Sequence, residues 1–214
     1  MPAATIDELL LADDPEHWAR LGFTVRDGSC VLGAVRLRFV EDEPRRGLVG
    51  WSLRDIASTE LDGLPTTRSQ RPPRGAADEH PNGVLAIDHV VAMSPDLDRS
   101  VRALRDAGLQ LRRIREEPTP AGAPRQAFFR LGAEILELVQ EPADVVERAG
   151  REDGGARFWG LALRARDLER TAGALGEHGG SIRPAVQPGR QIATLRRSAG
   201  LAIPLAFMSE PVRE

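Results

Sequence analysis

The chain has 214 residues, a hydrophobic fraction of 41%, a charged fraction of 29%, and a net charge of −3 from 29 basic and 32 acidic residues. That length holds one large or two small domains with an adequate core. With no basic excess to track a phosphate backbone and no tyrosine to stack bases, nucleic acid is a poor partner. Cys30 is the single cysteine, which excludes an internal disulfide framework and fits a reducing cytosol. The first ten residues lack the basic-then-apolar pattern of a signal peptide, and no apolar run approaches membrane-spanning length. A cytoplasmic protein without a membrane partner is expected.

In chain order, residues 5–14 read as the first strand segment, 15–22 as a short helix ending at Gly22, 23–28 as a strand and turn, and 32–44 as a segment like 131–142. An apolar segment follows at 47–56. Residues 64–83 are rich in Pro, Gly and charge with no apolar period, and read as a linker. The segment 84–93 reads as a buried strand. Residues 94–108 then form a helix, with Leu97, Val101 and Leu104 on one side, Ser94 or Asp96 at its cap and Gly108 past its end. Three strands follow at 109–117, 125–131 and 133–140, separated by the turn PTPAGAP (118–124) and by Gly132. After a strand in 156–168, a helix buries Leu168, Ala172 and Leu175 and stops at Gly179-Gly180. Strands in 181–186, 190–197 and 200–208 complete the chain.

These elements repeat. Residues 5–14 match 86–96 at an Ile-Asp pair and in the apolar run after it, and 32–44 match 131–142. Residues 47–56 resemble 156–168, and RQIATL (190–195) echoes RQAFFRL (125–131). The repeating unit is strand, helix, strand, strand, strand, which makes the fold α+β, a tandem of βαβββ modules. Residues 1–63 form a degenerate module plus part of a second, 64–83 join the halves, and 84–214 form a complete two-module domain.

Two strands of the central unit are apolar on both faces yet carry an ionisable residue in the middle. His89 shares its face with Ile87 and Val91, and Glu137 shares its face with Ile135 and Val139. Leu136 and Leu138, on the opposite face, are what a helix would cover. A carboxylate in an apolar face is costly unless it is paired, ligated or lining a cavity. His89 can be a neutral core histidine, a metal ligand or an acid/base group, and it can itself be the partner of Glu137. Gln126, Arg190 and Gln191, together with Arg125, recur at matching strand positions and can orient an anionic substrate; a solvated surface is the plainer role for the arginines. Trp51 and Trp159, beside Gly50 and Gly160, are expected to pack against a helix.

A tandem βαβββ unit with His in its first strand (IDHVVAMSPDLDRSV) and Glu in its last (GAEILELVQEP) resembles the vicinal oxygen chelate superfamily, the group of glyoxalases, bleomycin-resistance proteins and extradiol dioxygenases. The resemblance covers 84–211 well and 5–57 in degenerate form. It implies curled sheets enclosing a cavity, with metal ligands on the first and last strands of both modules. His89 and Glu137 match two ligand positions. Gly160, and Leu205 or Ala206, stand at the other two, so the set is incomplete. Water, substrate, His80 or a partner subunit would have to complete a divalent site. In the N-terminal copy Glu8 and Arg38 occupy the paired positions, where they would form a structural ion pair. The resemblance implies a small-molecule ligand in the cavity of the C-terminal domain. Its use is either a metal-assisted lyase or isomerase reaction or metal-free binding without catalysis, and a homodimer is compatible with both.

Overall fold

A computed structural model describes residues 3–41, 43–119 and 122–210. Met1, Pro2, Asp42 of the repeated segment 32–44, Pro120 and Ala121 of the PTPAGAP turn, and 211–214 of the expected C-terminal domain lie outside the described residues.

The N-terminal module runs β1 (Thr5–Ala12), α1 (Pro15–Arg20), β2 (Val25–Arg26), β3 (Ser29–Leu32) and β4 (Val35–Phe39). Its helix begins where Asp14 accepts a hydrogen bond from the Glu16 amide and Pro15 takes the first turn. Gly33, at the place of Gly132 in the repeat, turns the chain at φ +62° and separates β3 from β4. β5 (Gly47–Arg54) is buried throughout. β6 (Thr66–Arg68) falls inside the expected linker and pairs in parallel with β5, Trp51 opposite Thr66. A run of polar residues without an apolar period therefore still supplies a short edge strand, because β5 offers it a ladder of backbone partners.

The central module is β7 (Val84–Ser94), α2 (Leu97–Asp106), β8 (Gln110–Arg115), β9 (Gln126–Leu131) and β10 (Glu134–Gln140), in the expected order. Of the two cap candidates, Asp96 is the one whose carboxylate accepts from the Arg99 amide at 2.9 Å. Ser94 ends β7 and accepts from the Asp96 amide. α3 (Ala143–Arg148) has no counterpart in the sequence reading; it is a helix of six residues without a side-chain cap. The last module is β11 (Arg157–Ala165), α4 (Leu168–Ala174), β12 (Arg183–Pro184), β13 (Gln191–Thr194) and β14 (Leu205–Met208). α4 buries Leu168 and Thr171, with Leu175 buried just past its end; it stops before Gly176 at φ +56°, earlier than the expected Gly179-Gly180.

The strands form a six-stranded sheet, in order β2-β3-β4-β1-β5-β6, and an eight-stranded sheet, in order β12-β13-β14-β11-β7-β10-β9-β8. Both are mixed, with parallel pairs at the first and last strand of each module. No helix among the described residues is long and apolar enough to cross a membrane.

The chain divides into two compact units that interleave in sequence. The first comprises Met1–Asp7, Gly50–Arg71 and His89–Trp159. In it, Leu97, Val101 and Leu104 of α2 are buried, and Val90, Ala92, Leu136, Leu138, Ala127 and Phe129 form the solvent-free face of the sheet. α2 packs on β8, β9 and β10, as expected for Leu136 and Leu138. Asp62 holds the loop before β6 to α2 by accepting from Arg99 Nε at 2.9 Å and from the Ser100 hydroxyl. Trp51 is buried edge-on to Phe158 and donates its indole N–H to Thr66 Oγ1 at 2.7 Å. Trp159 is 48% exposed and does not pack as expected.

The second unit comprises Glu8–Val49, Pro72–Asp88 and Gly160–Glu214. Trp18 is fully buried against Phe23 and Phe39 and donates to Asp13, which also accepts from the Ala202 amide at 3.0 Å. Glu8 is buried and accepts from Arg38 Nε at 3.1 Å, with Arg36 at 3.7 Å, so Glu8 and Arg38 do face each other. His80 is also buried here. Its Nδ1 accepts from the Thr24 amide at 3.0 Å, which places the ring proton on Nε2, 3.0 Å from the Val31 carbonyl.

Candidate functional site

Register places His89 and Glu137. β10 runs parallel to β7 with Ile135 opposite His89 and Glu137 opposite Val91. His89 and Glu137 are therefore diagonal neighbours on one face, and His89 Nε2 lies 3.2 Å from Glu137 Oε2. On the other side β9 pairs antiparallel, Val139 opposite Gln126 and Glu137 opposite Phe128. That makes Gln126 the second diagonal neighbour, and its amide donates to Glu137 Oε1. Both carboxylate oxygens are thus engaged, one by imidazole and one by carboxamide.

The face carrying these groups is the one opposite α2. His89 and Glu137 are 12% and 16% exposed, whereas Leu136 and Leu138 on the helix side are wholly buried. Three rows cross the four strands β7, β10, β9 and β8 on this open face. The first is His89, Ile135, Arg130, Gln110; the second is Val91, Glu137, Phe128, Arg113; the third is Met93, Val139, Gln126, Arg115. A bulge at Arg112 keeps Leu111 and Ile114 on the helix side while turning Arg113 to the open side. The Arg113 guanidinium lies 4.8 Å over the Phe128 ring. Sequence reasoning missed Phe128 and Arg130, although alternation around Gln126 puts both on its face. Arg113 was hidden because the bulge resets the period of β8.

The other expected site residues lie elsewhere. Arg190 forms a two-pronged ion pair with Asp88, at 3.2 and 2.6 Å, and also donates to the Ser209 carbonyl. Gln191 is exposed, and its backbone N–H donates to Ser209 Oγ. Arg125 is committed to Asp98 and Glu116 at the surface; the hydrogen bonds and charge of these two carboxylates hold its guanidinium above its ordinary range. A cleft of about 360 Å³ borders Arg125, Leu97, Gln140 and Val146 but contains none of the dyad, so the open sheet face is the better candidate.

The residues present do not fit a protein-held divalent ion. Among the described residues no group of three His, Cys, Asp or Glu converges. A protein site for such an ion ordinarily needs at least three ligands. His80, considered above as a supplement, spends both ring nitrogens on backbone groups. In the last module, register decides between Leu205 and Ala206. Leu161 pairs with Leu205, so Gly160 stands opposite Pro204, and the position two residues on from Pro204 is Ala206. A Cβ on Gly160 would lie 2.9 Å from the Pro204 carbonyl oxygen, so no histidine can occupy that position without moving the strands.

Paired βαβββ modules with an open sheet face define a class of protein, and the sequence comparison names it. The model of the Glyoxalase/Bleomycin resistance protein/Dioxygenase superfamily matches residues 86–206, more than half of the chain, and the chain belongs to that superfamily. Comparison with curated proteins gives no match. Methylmalonyl-CoA epimerase from Mycobacterium tuberculosis is similar at 19% identity and TM-score 0.50, over 64% of this chain and 93% of that one. A xylose isomerase-like TIM barrel/4-hydroxyphenylpyruvate dioxygenase fusion protein matches 100% of this chain at 12% identity and TM-score 0.61. This chain spans half the length of that fusion protein. At such identities the likeness concerns the fold.

Proposed function

We propose that this superfamily member binds a small organic molecule on the open face of the central sheet, around the His89–Glu137–Gln126 cluster, without a metal held by its own residues. The observation that carries this reading is a carboxylate engaged through both oxygens on a partly open sheet face, among the apolar side chains of Val91, Ile135, Val139 and Phe128. Pockets for small molecules combine apolar walls with a few fixed polar groups that orient the ligand. Gln126 and His89 hold Glu137 in a defined rotamer, so its remaining lone pairs are aimed before any ligand arrives.

A second reading rests on the 3.2 Å contact between His89 and Glu137. A carboxylate backed by an imidazole can take a proton from a bound substrate, as a general base. Binding is common to both readings, and proton transfer adds to it.

The test is a thermal-shift screen of a chemically mixed small-molecule library on the full chain, followed by calorimetric titration of hits on the wild type, Glu137→Gln and His89→Ala. Elemental analysis accompanies it. Hits whose affinity falls in both variants, on protein without stoichiometric metal, support the reading. No hits, hits indifferent to both substitutions, or a stoichiometric divalent metal lost in both variants would overturn it.

A further inference from the structure

The open face is polarised. Glu137 lies on β10, while Arg113 and Arg130 lie on β8 and β9. Both arginines are exposed, and among the described residues neither side chain makes an ion pair or hydrogen bond; the contact of Arg113 is with the Phe128 ring. Arg115 in the next row is only loosely paired, to Glu117 at 3.7 Å. A guanidinium lying over a ring keeps its N–H edge free for an anion, because the ring occupies its face and not its donors.

We infer that the ligand of this face is a planar organic anion carrying a hydrogen-bond donor at its far end; this rests on the reading of the open face as a binding site. The anionic end meets the guanidinia of Arg113 and Arg130. The flat body lies against Phe128, which the register sets between Glu137 and Arg113, with Ile135 alongside as the partner of Arg130. The donor end meets Glu137, which would repel a second negative charge. Two strand spacings separate β10 from β8, roughly 10 Å between backbones. A fused bicyclic acid spans that gap better than a single small ring. A cation would face two unpaired guanidinia, and a non-planar anion would lose the stacking surface of Phe128 and Arg113.

The probe is 6-hydroxy-2-naphthoate, compared with its neutral carboxamide, titrated calorimetrically into the full chain. The expected result is binding of the acid roughly tenfold tighter than the amide, the equivalent of one good charge-assisted contact. Arg113→Ala and Arg130→Ala, both exposed and so compatible with folding, should each reduce that preference. Phe128→Leu should weaken both compounds. Equal affinity for acid and amide, no binding of either, or a preference untouched by both arginine variants would overturn the inference. Self-association that buries this face, seen by sedimentation, would also overturn it. If the library yields neutral or cationic ligands that depend on Glu137 while the naphthoate fails, the binding-site reading stands and this inference falls.

Discussion

Glu137 lies two residues beyond Ile135, the register partner of His89, and this offset brings the carboxylate to 3.2 Å from the imidazole. The N-terminal module uses the same offset: Glu8 pairs with Arg36, and Arg38 follows two residues later. In the last module the equivalent positions are Gly160 and Ala206. One backbone arrangement thus presents three different chemistries. They are an ion pair backed by a second arginine, a half-open acid–imidazole pair, and a position without side-chain donors.

If the His89–Glu137 pair serves binding more than folding, removing both groups will stabilise or spare the protein while abolishing ligand affinity. His89→Ala alone should cost about 1–3 kcal/mol, because it leaves a largely buried carboxylate with one fewer partner. His89→Leu with Glu137→Leu should regain most of that loss, as buried ion pairs often can be replaced by apolar groups without penalty. Urea unfolding of His89→Leu, Glu137→Leu and the double variant closes the cycle. A double variant no more stable than the worse single would mark the pair as structural.

Gly160→Ala should destabilise by about 1–3 kcal/mol, since the added methyl group meets a backbone carbonyl rather than a side chain that can yield. Gly108→Ala, where the nearest atom lies at 3.7 Å, meets no such obstruction, but it carries a left-handed backbone at φ +91°. Thermal melts of both separate a steric penalty from a conformational one. Equal stability of Gly160→Ala and the wild type would refute the close approach.

Stability should fall as pH drops below about 6.5. His80 is buried in its neutral form, and burial holds its pKa below the ordinary histidine range, outweighing the opposing hydrogen bond to the Val31 carbonyl. A depressed histidine stabilises the fold above its unfolded pKa, and that contribution is lost as pH falls from there towards the folded pKa, because the unfolded chain binds the extra proton. Protonation would also set an N–H of the ring against the Thr24 amide. The Cys30 thiol, 3.8 Å from Nε2, offers no compensating charge. His80→Gln should flatten the pH dependence of denaturant midpoints between pH 5 and 7, a window chosen around the ordinary histidine pKa of about 6.5. An unchanged profile would count against it.

Cys30 should resist alkylation in the native protein. Burial pushes its thiol up to about 12, so almost no thiolate is present at pH 8. Iodoacetamide should label it only after denaturation, as mass spectrometry would report. Rapid native labelling would mean that this part of the fold opens readily.

The repeat, the helix face of Leu97, Val101 and Leu104, and the placing of His89 and Glu137 each among apolar neighbours on its own strand were legible, because period-2 and period-3.6 patterns report directly on which side chains share a face. That the two meet diagonally follows from the register of β10 on β7, which alternation within a strand does not carry. β6 and α3 were not. Thr66–Arg68 has no apolar alternation and becomes a strand only because β5 presents it an open ladder. Ala143–Arg148 is too short to show a helical period and lacks a side-chain cap. Arg190 read as a ligand-orienting residue from its echo of Arg125. Its ion pair with Asp88 spans 102 positions and leaves no local signal. Alternation also could not find Arg113, since one inserted residue in β8 reverses which side its neighbours face.

β10 is hydrogen-bonded on both edges, by β7 and by β9, and its helix-side residues are wholly closed to solvent. Amide exchange in Ile135 to Val139 should therefore be among the slowest in this unit. The acceptor that meets the ligand is mounted on that rigid strand, so little backbone entropy is lost on association. Recognition here would resemble a key meeting a fixed lock, with selectivity set by the charged outer strands.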